Sequence, residues 1–141
     1  MLLIAWKVNA VHINHFHNMN QKKILVIDDE QDIRDNISRI LKQLGYTVQT
    51  ADTIRNAIKI LVETPDFDLI TCDVMIPAAG GFDLVEQIKS DPLYTNIPIL
   101  MITGMDSEIL QNTRHAANDV LPKPFTTKDL TGKVQTLLKQ I

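Results

Sequence analysis

Short apolar segments alternate along the chain with longer segments in which apolar residues recur at helical spacing. The pattern predicts five strands, at residues 24–27, 46–50, 67–72, 97–102 and 119–121. It also predicts five helices, at residues 33–44, 54–61, 82–88, 107–115 and 130–141. This alternation is typical of βαβ units, whose strands lie parallel in one sheet. We therefore predict an α/β domain with a doubly wound, five-stranded parallel sheet and five helices.

Residues with known preferences for helix ends support these limits. Gly45 follows the first helix, where a C-cap glycine belongs. Thr126 and Asp129 stand at the spacing of a capping box before the last helix. The fourth helix has only a weak apolar stripe, formed by Ile109 and Leu110.

The first 20 residues show no helical or strand period, and organised sequence begins at Lys22. Their apolar start, MLLIAW, has no preceding basic residue and no clean cleavage site, which argues against a secretory leader. A second methionine, Met19, stands just before the onset of pattern. We interpret residues 1–20 as an N-terminal extension outside the domain and residues 21–141 as one domain.

Composition narrows the classes of function. Lys and Arg number 14 and Asp and Glu 17, so this chain alone offers no basic surface for nucleic acid. The only cysteine, Cys72, allows no internal disulfide and favours a cytoplasmic location. No apolar stretch approaches the roughly 20 residues of a membrane span. His12, His15 and His17 have a spacing that invites a metal, but without cysteines it is more typical of a solvated tail.

Polar residues follow four of the five predicted strands. Right-handed crossovers place the carboxyl ends of parallel strands at one edge of the sheet. The residues at that edge are Asp28 and Asp29 after the first strand, Asp73 after the third, Thr103 after the fourth and Lys123 after the fifth. Neighbouring carboxylates raise one another's pKa unless a cation intervenes, and Mg²⁺ prefers such oxygens and leaves positions for phosphate. We therefore predict a Mg²⁺ site.

This set suits phosphoryl transfer, which needs mainly positioning and charge neutralisation. A carboxylate can attack phosphorus, and we assign Asp73 as the nucleophile because it stands alone at a strand end. Asp28 and Asp29 form the metal-holding pair. Lys123 supplies a point charge for a phosphoryl oxygen, and Thr103 supplies a hydroxyl donor.

These motifs resemble those of response regulator receiver domains of two-component phosphorelays. The matching segments, spread over residues 22–141, are Ile27-Asp28-Asp29-Glu30, Asp73-Val74-Met75-Ile76-Pro77 with Gly81, Thr103-Gly104 and Lys123-Pro124-Phe125. The resemblance implies a flavodoxin-like sheet with strand order 2-1-3-4-5. It also implies a signalling regulator that catalyses only its own phosphorylation and dephosphorylation.

The resemblance gives each site residue a role. Asp73 is the implied acceptor of a phosphoryl group from a sensor histidine kinase or a histidine phosphotransfer protein. Asp28, Asp29 and Asp73 are the implied Mg²⁺ ligands, together with the backbone carbonyl of Met75. Lys123 is implied to contact the acceptor and its phosphoryl group.

The implied switch and partner-binding residues follow the family only in part. Thr103 matches the switch hydroxyl, and phosphorylation is implied to shift an existing equilibrium between two conformations. Val120 stands where many members have an aromatic switch residue. Ile33, Pro124 and Phe125 are implied to lie on the kinase-binding surface.

Met75 and Met105 stand two residues after the acceptor and two after the switch threonine, at positions that tune dephosphorylation in the family. Apolar side chains there position an attacking water poorly, so we predict a long-lived phosphoryl group. With Val120, they leave open a degenerate receiver that acts as a docking module without phosphorylation. A phosphohydrolase is disfavoured because Met75 stands where a second aspartate would act as general acid. A flavin-binding module is disfavoured because acids fill the first loop.

Overall fold

The computed structural model describes residues 21–75 and 81–139. The predicted extension at residues 1–20, with its histidines and Met19, lies outside the described residues, and so do Pro77 and Ile141. The strands are β1 (Lys23–Ile27), β2 (Thr47–Ala51), β3 (Leu69–Cys72), β4 (Ile99–Thr103) and β5 (Asp119–Pro122). The helices are α1 (Gln31–Gln43), α2 (Ile54–Glu63), α3 (Gly81–Ser90), α4 (Ser107–Gln111) and α5 (Thr127–Lys139).

The strands form one parallel sheet in the order β2-β1-β3-β4-β5. The predicted α/β class, strand order and five helices are therefore confirmed. In this order β1 and β3 are neighbours, with Ile27 opposite Cys72. Because all strands run the same way, the residues that follow them emerge at one edge.

Helices cover both faces of the sheet, which explains why the central strands are apolar throughout. One buried cluster joins α2 and α3 to alternate residues of the sheet, including Leu25, Ile27 and Ile70. A second joins α1 and α5 to residues of the opposite face, including Ile24 and Val26. A third, much smaller cluster consists of the buried residues Val74, Met101 and Leu110.

Two predicted helix ends are confirmed by their hydrogen bonds. Gly45 follows α1 with φ of 93°, a left-handed conformation that glycine adopts without steric cost. Its N–H donates to the Lys42 carbonyl at 3.0 Å, and the Tyr46 N–H donates to the Leu41 carbonyl at 3.2 Å. At the start of α5, Thr126 Oγ1 accepts from the Asp129 N–H at 3.1 Å.

The structure corrects other predicted limits. The fourth helix ends at Gln111 and not at residue 115, because Leu110 is its only buried residue and a short helix needs packing to persist. The side chain of Thr113 then donates to the Ile109 carbonyl at 2.7 Å and closes the last turn. The third strand begins at Leu69 and not at residue 67, since Phe67 packs in the core ahead of the strand. Within the described ranges, no helix is long and apolar enough to cross a membrane.

Candidate functional site

The β1–β3 junction brings two buried carboxylates side by side. The Asp28 N–H donates to the Ala51 carbonyl at 3.1 Å, and the Asp73 N–H donates to the Ile27 carbonyl at 3.1 Å. Sheet hydrogen bonding thus continues into both aspartates and holds their backbones. Both residues are buried, with exposed fractions of 1% and 3%. Two buried carboxylates this close repel each other, so a positive partner stabilises the arrangement.

Lys123 is that partner. The backbone N–H of Lys123 donates to the Thr103 carbonyl at 2.9 Å, which fixes the backbone at the end of β5. Its ammonium donates to Asp28 Oδ2 and to Asp73 Oδ2, each at 2.8 Å. Burial lowers the pKa of the Lys123 ammonium, but the hydrogen bonds and charges of the two carboxylates outweigh burial and hold that pKa above its usual value. The lysine therefore stays charged.

The other oxygens of the two carboxylates accept backbone hydrogen bonds. Asp28 Oδ1 accepts from the Glu30 N–H at 2.9 Å, and Asp73 Oδ1 accepts from the Met75 N–H at 2.9 Å. The Arg34 guanidinium donates to the Asp28 carbonyl at 2.9 Å and ties α1 to the site. These contacts hold both carboxylates in defined orientations, as phosphoryl transfer requires.

Asp28 and Asp73 belong to a cluster of four acidic side chains. Asp28, Asp29, Glu30 and Asp73 each offer a carboxylate oxygen, and these oxygens lie within 4.8 Å of one another. A compact set of oxygen donors fits a hard divalent cation such as Mg²⁺. Glu30 was absent from the predicted site, although the three consecutive acids after β1 could have pointed to it. Its Oε1 lies 3.8 Å from the Lys123 ammonium.

Gly81 lies against the backbone of Asp73 and Val74. A Cβ at this position would lie 2.4 Å from the Val74 Cα and 2.5 Å from the Asp73 carbonyl oxygen. The Gly81 N–H donates to the Val74 carbonyl at 3.1 Å. Only glycine permits this approach, so the start of α3 helps to hold Asp73 in place.

Thr103 ends β4 at the same sheet edge, whereas Val120 lies inside β5, opposite Met101. No hydrogen bond among the described residues joins either of them to Asp28 or Asp73. Among the described residues, Thr103 Oγ1 accepts a hydrogen bond only from the Met105 N–H, at 3.2 Å. Val120 is half-buried and packs on the small cluster of Val74, Met101 and Leu110.

The sequence of residues 24–135 matches the family described as the response regulator receiver domain. The chain belongs to this family. It is 33% identical over 121 residues to the phosphate regulon transcriptional regulatory protein PhoB of Pseudomonas aeruginosa, which covers 84% of this chain and 52% of that protein. It is 36% identical over 121 residues to the alkaline phosphatase synthesis transcriptional regulatory protein PhoP of Bacillus subtilis, covering 84% of this chain and 49% of that protein.

Solved receiver structures are also similar. The chemotaxis response regulator CheY4 of Vibrio cholerae matches with a TM-score of 0.76 and 33% identity, over 84% of this chain and 99% of that one. A response regulator from Chloroflexus aurantiacus matches with a TM-score of 0.78 and 29% identity, over 85% and 99%. This receiver chain spans about half the length of the curated relatives above.

The predicted partner-binding residues of this receiver differ in burial. Ile33 and Phe125 are half-buried and pack against the core cluster under α1 and α5, whereas Pro124 is exposed. Ile33 lies three residues after Glu30, and Phe125 lies two residues after Lys123. All three therefore lie close in sequence either to Lys123 or to the acidic residues that follow β1.

Cys72 directly precedes Asp73 in this receiver but is not available for chemistry. It is buried, and burial together with the charges of Asp73 and Asp28 raises the pKa of its thiol to about 12. A thiol with that pKa is an unreactive core residue at neutral pH.

Proposed function

We propose that this receiver domain accepts a phosphoryl group on Asp73 from a phosphohistidine in a Mg²⁺-dependent reaction and then changes conformation. The donor is a sensor histidine kinase or a histidine phosphotransfer protein. The observation that carries the proposal is the Lys123 ammonium, 2.8 Å from the carboxylates of both Asp28 and Asp73. A lysine placed there can neutralise charge on a phosphoryl group bound to Asp73.

The transfer needs one bond to form and one to break. A carboxylate oxygen of Asp73 attacks phosphorus, and the bond between phosphorus and the histidine nitrogen breaks with its electron pair staying on the imidazole. The product is an acyl phosphate on Asp73 and a free histidine. Lys123 lies where it can pair with the transferred oxygens, and Thr103 is the hydroxyl assigned to them in the phosphorylated state. The receiver acts as a regulator that catalyses only its own phosphorylation and dephosphorylation.

Asp28, Asp29 and Asp73 would hold Mg²⁺, with the backbone carbonyl of Met75 as a fourth protein ligand. When bound, the cation neutralises phosphoryl charge and orients the group for attack. Four acidic side chains with oxygens within 4.8 Å of one another support this assignment. Glu30 adds negative charge to the same cluster.

A surface formed by Ile33, Pro124 and Phe125 would meet the donor protein. Its support is position, since these residues flank the loops that carry Asp28 and Lys123. The half-buried Ile33 and Phe125 each present some apolar surface to a partner. The same proposal includes the target of the phosphorylated receiver, which is either a second domain or a separate protein. The curated relatives of this chain are about twice its length, so each of them has a further region outside the match.

Intact-protein mass spectrometry after incubation with Mg²⁺ and acetyl phosphate tests the acceptor role. We expect a gain of one phosphoryl mass that disappears in Asp73→Asn and when Mg²⁺ is chelated. Asp52→Asn is the matched control, since Asp52 follows β2 at the same edge but is not among the four acids of the cluster. A gain that persists in Asp73→Asn would contradict the assignment. No gain in the wild type, despite measured Mg²⁺ binding, would favour a docking module that works without phosphorylation.

A further inference from the structure

An apolar groove lies between helices α2 and α3, on the face of the sheet that these helices cover. Its apolar and aromatic lining residues are Ile58, Leu61, Val62, Leu84, Ile88 and Tyr94, and its volume is about 190 Å³. Ile58 is 40% exposed and Val62 is 69% exposed. Since a cavity of roughly 150 Å³ admits a benzene ring, this groove has room for one large apolar side chain.

The start of β1 contacts the segment that follows α2, one of the two helices that line this groove. The Lys23 ammonium is 3.2 Å from Asp66 Oδ1 and 4.7 Å from the centroid of the Phe67 ring, and both partners follow α2. Phe67 belongs to the same buried cluster as Leu61, which lines the groove. Residues 1–20 therefore join the described fold close to the end of α2.

The first 20 residues have a composition that matches the groove. They begin with the apolar run Met-Leu-Leu-Ile-Ala-Trp and contain Lys7 and three histidines but no Asp or Glu. All 17 acidic residues of the chain lie in residues 21–141, and Asp91 is one of the groove's lining residues. An apolar segment flanked by a cation is complementary to an apolar groove with a carboxylate.

We propose that residues 2–6 dock in the α2–α3 groove of the same chain, with one large side chain in the cavity. Sixteen residues separate Trp6 from Lys23, and a flexible segment of that length spans on the order of 20–25 Å. Because Lys23 contacts residues that directly follow α2, a segment of this length can fold back towards that helix. Tethering holds the segment at an effective concentration on the order of millimolar, so modest apolar burial is sufficient for docking. The proposal does not depend on phosphorylation of Asp73.

Trp6 is the only tryptophan of the chain, so its fluorescence reports the docking directly. We expect the folded chain to emit at shorter wavelength, and to be less quenched by acrylamide, than a peptide of residues 1–20. Val62→Glu places a charge in the groove at an exposed position and should return both values to those of the peptide. Ile109→Glu is the matched control, because Ile109 is 58% exposed on α4 and is not a lining residue. Circular dichroism checks that both variants fold.

A second measurement leaves the groove's apolar residues unchanged. The only native cysteine, Cys72, is buried, so a nitroxide label attaches selectively to an introduced surface cysteine. A label at Gln87→Cys, a lining position, should quench Trp6, whereas a label at Lys42→Cys on α1 should not.

Emission equal to that of the peptide, or emission unaffected by Val62→Glu, would overturn the proposal. Equal quenching by the two labels would do the same. A shift that disappears on dilution of the protein would assign the groove to a segment from a second copy and overturn docking within one chain.

Discussion

The β1–β3 side and the β4–β5 side of the same sheet edge are held by different kinds of contact. On the first side, Lys123 bridges the buried carboxylates of Asp28 and Asp73 at 2.8 Å each. On the second side, Thr103 accepts one hydrogen bond at 3.2 Å, and the half-buried Val120 packs on a cluster of only three buried residues. Paired buried charges hold one arrangement. A region with few apolar contacts needs less free energy to rearrange locally. The first side is therefore suited to chemistry and the second to movement.

The largest expected effect comes from removing the bridging lysine. Lys123→Ala leaves two buried carboxylates in contact without a counter-charge, so we expect a loss of about 3–5 kcal/mol in the free energy of unfolding without divalent cations. Urea denaturation followed by circular dichroism measures it. Lys133→Ala is the matched control, because the Lys133–Asp119 ion pair at 3.1 Å is more than one third exposed on both sides. Its loss should be no more than about 1 kcal/mol.

Mg²⁺ should restore much of the stability of Lys123→Ala, because the proposed cation would supply positive charge between the same carboxylates. It should not change the stability of Lys133→Ala relative to wild type. Equal losses in the two lysine variants would show that Asp28 and Asp73 do not depend on Lys123, and the comparison between the two sides would fail.

The next effect tests the backbone support of Asp73, the proposed acceptor. Gly81→Ala puts a Cβ within 2.5 Å of the Asp73 and Val74 backbone, so the chain must shift at a cost of about 1–3 kcal/mol. The shift displaces Asp73 and should slow phosphorylation by acetyl phosphate. Gly104→Ala is the control at the β4 side, since nothing lies within 4 Å of a Cβ there. If both variants behave like wild type in unfolding and phosphorylation, Gly81 does not position the acceptor.

Sequence patterns were sufficient to locate the charged β1–β3 side of the edge, because its residues directly follow strands. Asp28, Asp73 and Lys123 each stand at the end of a short apolar segment, and parallel strands in the confirmed order bring such ends together. The family resemblance supplied the order that makes β1 and β3 neighbours. Strand ends and motif order therefore locate the centre without any knowledge of side-chain geometry.

Contacts made by the other parts of the molecule could not be predicted in this way. The length of α4 depends on how many of its residues pack into the core, and Leu110 is the only residue of α4 that is buried. The close approach of Gly81 to Asp73 depends on the angle at which α3 begins. The α2–α3 groove arises where two helices separate, so neither helix sequence alone reveals it. Glu30, in contrast, could have been predicted as part of the acidic cluster, because it belongs to the run Asp28-Asp29-Glu30 in the sequence.

A smaller effect concerns the lifetime of the phosphoryl group. Met75 is 58% exposed two residues after Asp73, and its thioether accepts hydrogen bonds too weakly to position an attacking water. Met75→Asn offers a donor and an acceptor at that position, so we expect about tenfold faster loss of the phosphoryl mass, equivalent to about 1.4 kcal/mol. Ile109→Asn, at an equally exposed apolar position, should leave the rate unchanged. Loss from the wild type within seconds in Mg²⁺ buffer would show that the methionines do not protect the group.

The smallest effect is expected at Thr103 and depends on the state of the receiver. Thr103→Val keeps the side-chain shape but removes the acceptor for the Met105 N–H, which should cost about 1 kcal/mol in the unphosphorylated protein, whereas Thr103→Ser should cost less. If the hydroxyl moves to the phosphoryl group, phosphorylation should stabilise wild type and Thr103→Ser more than Thr103→Val. Denaturation with and without acetyl phosphate measures this difference. A deficit that is the same in both states would mean that Thr103 only holds its own loop, and the β4–β5 side of the edge would need another residue as its switch.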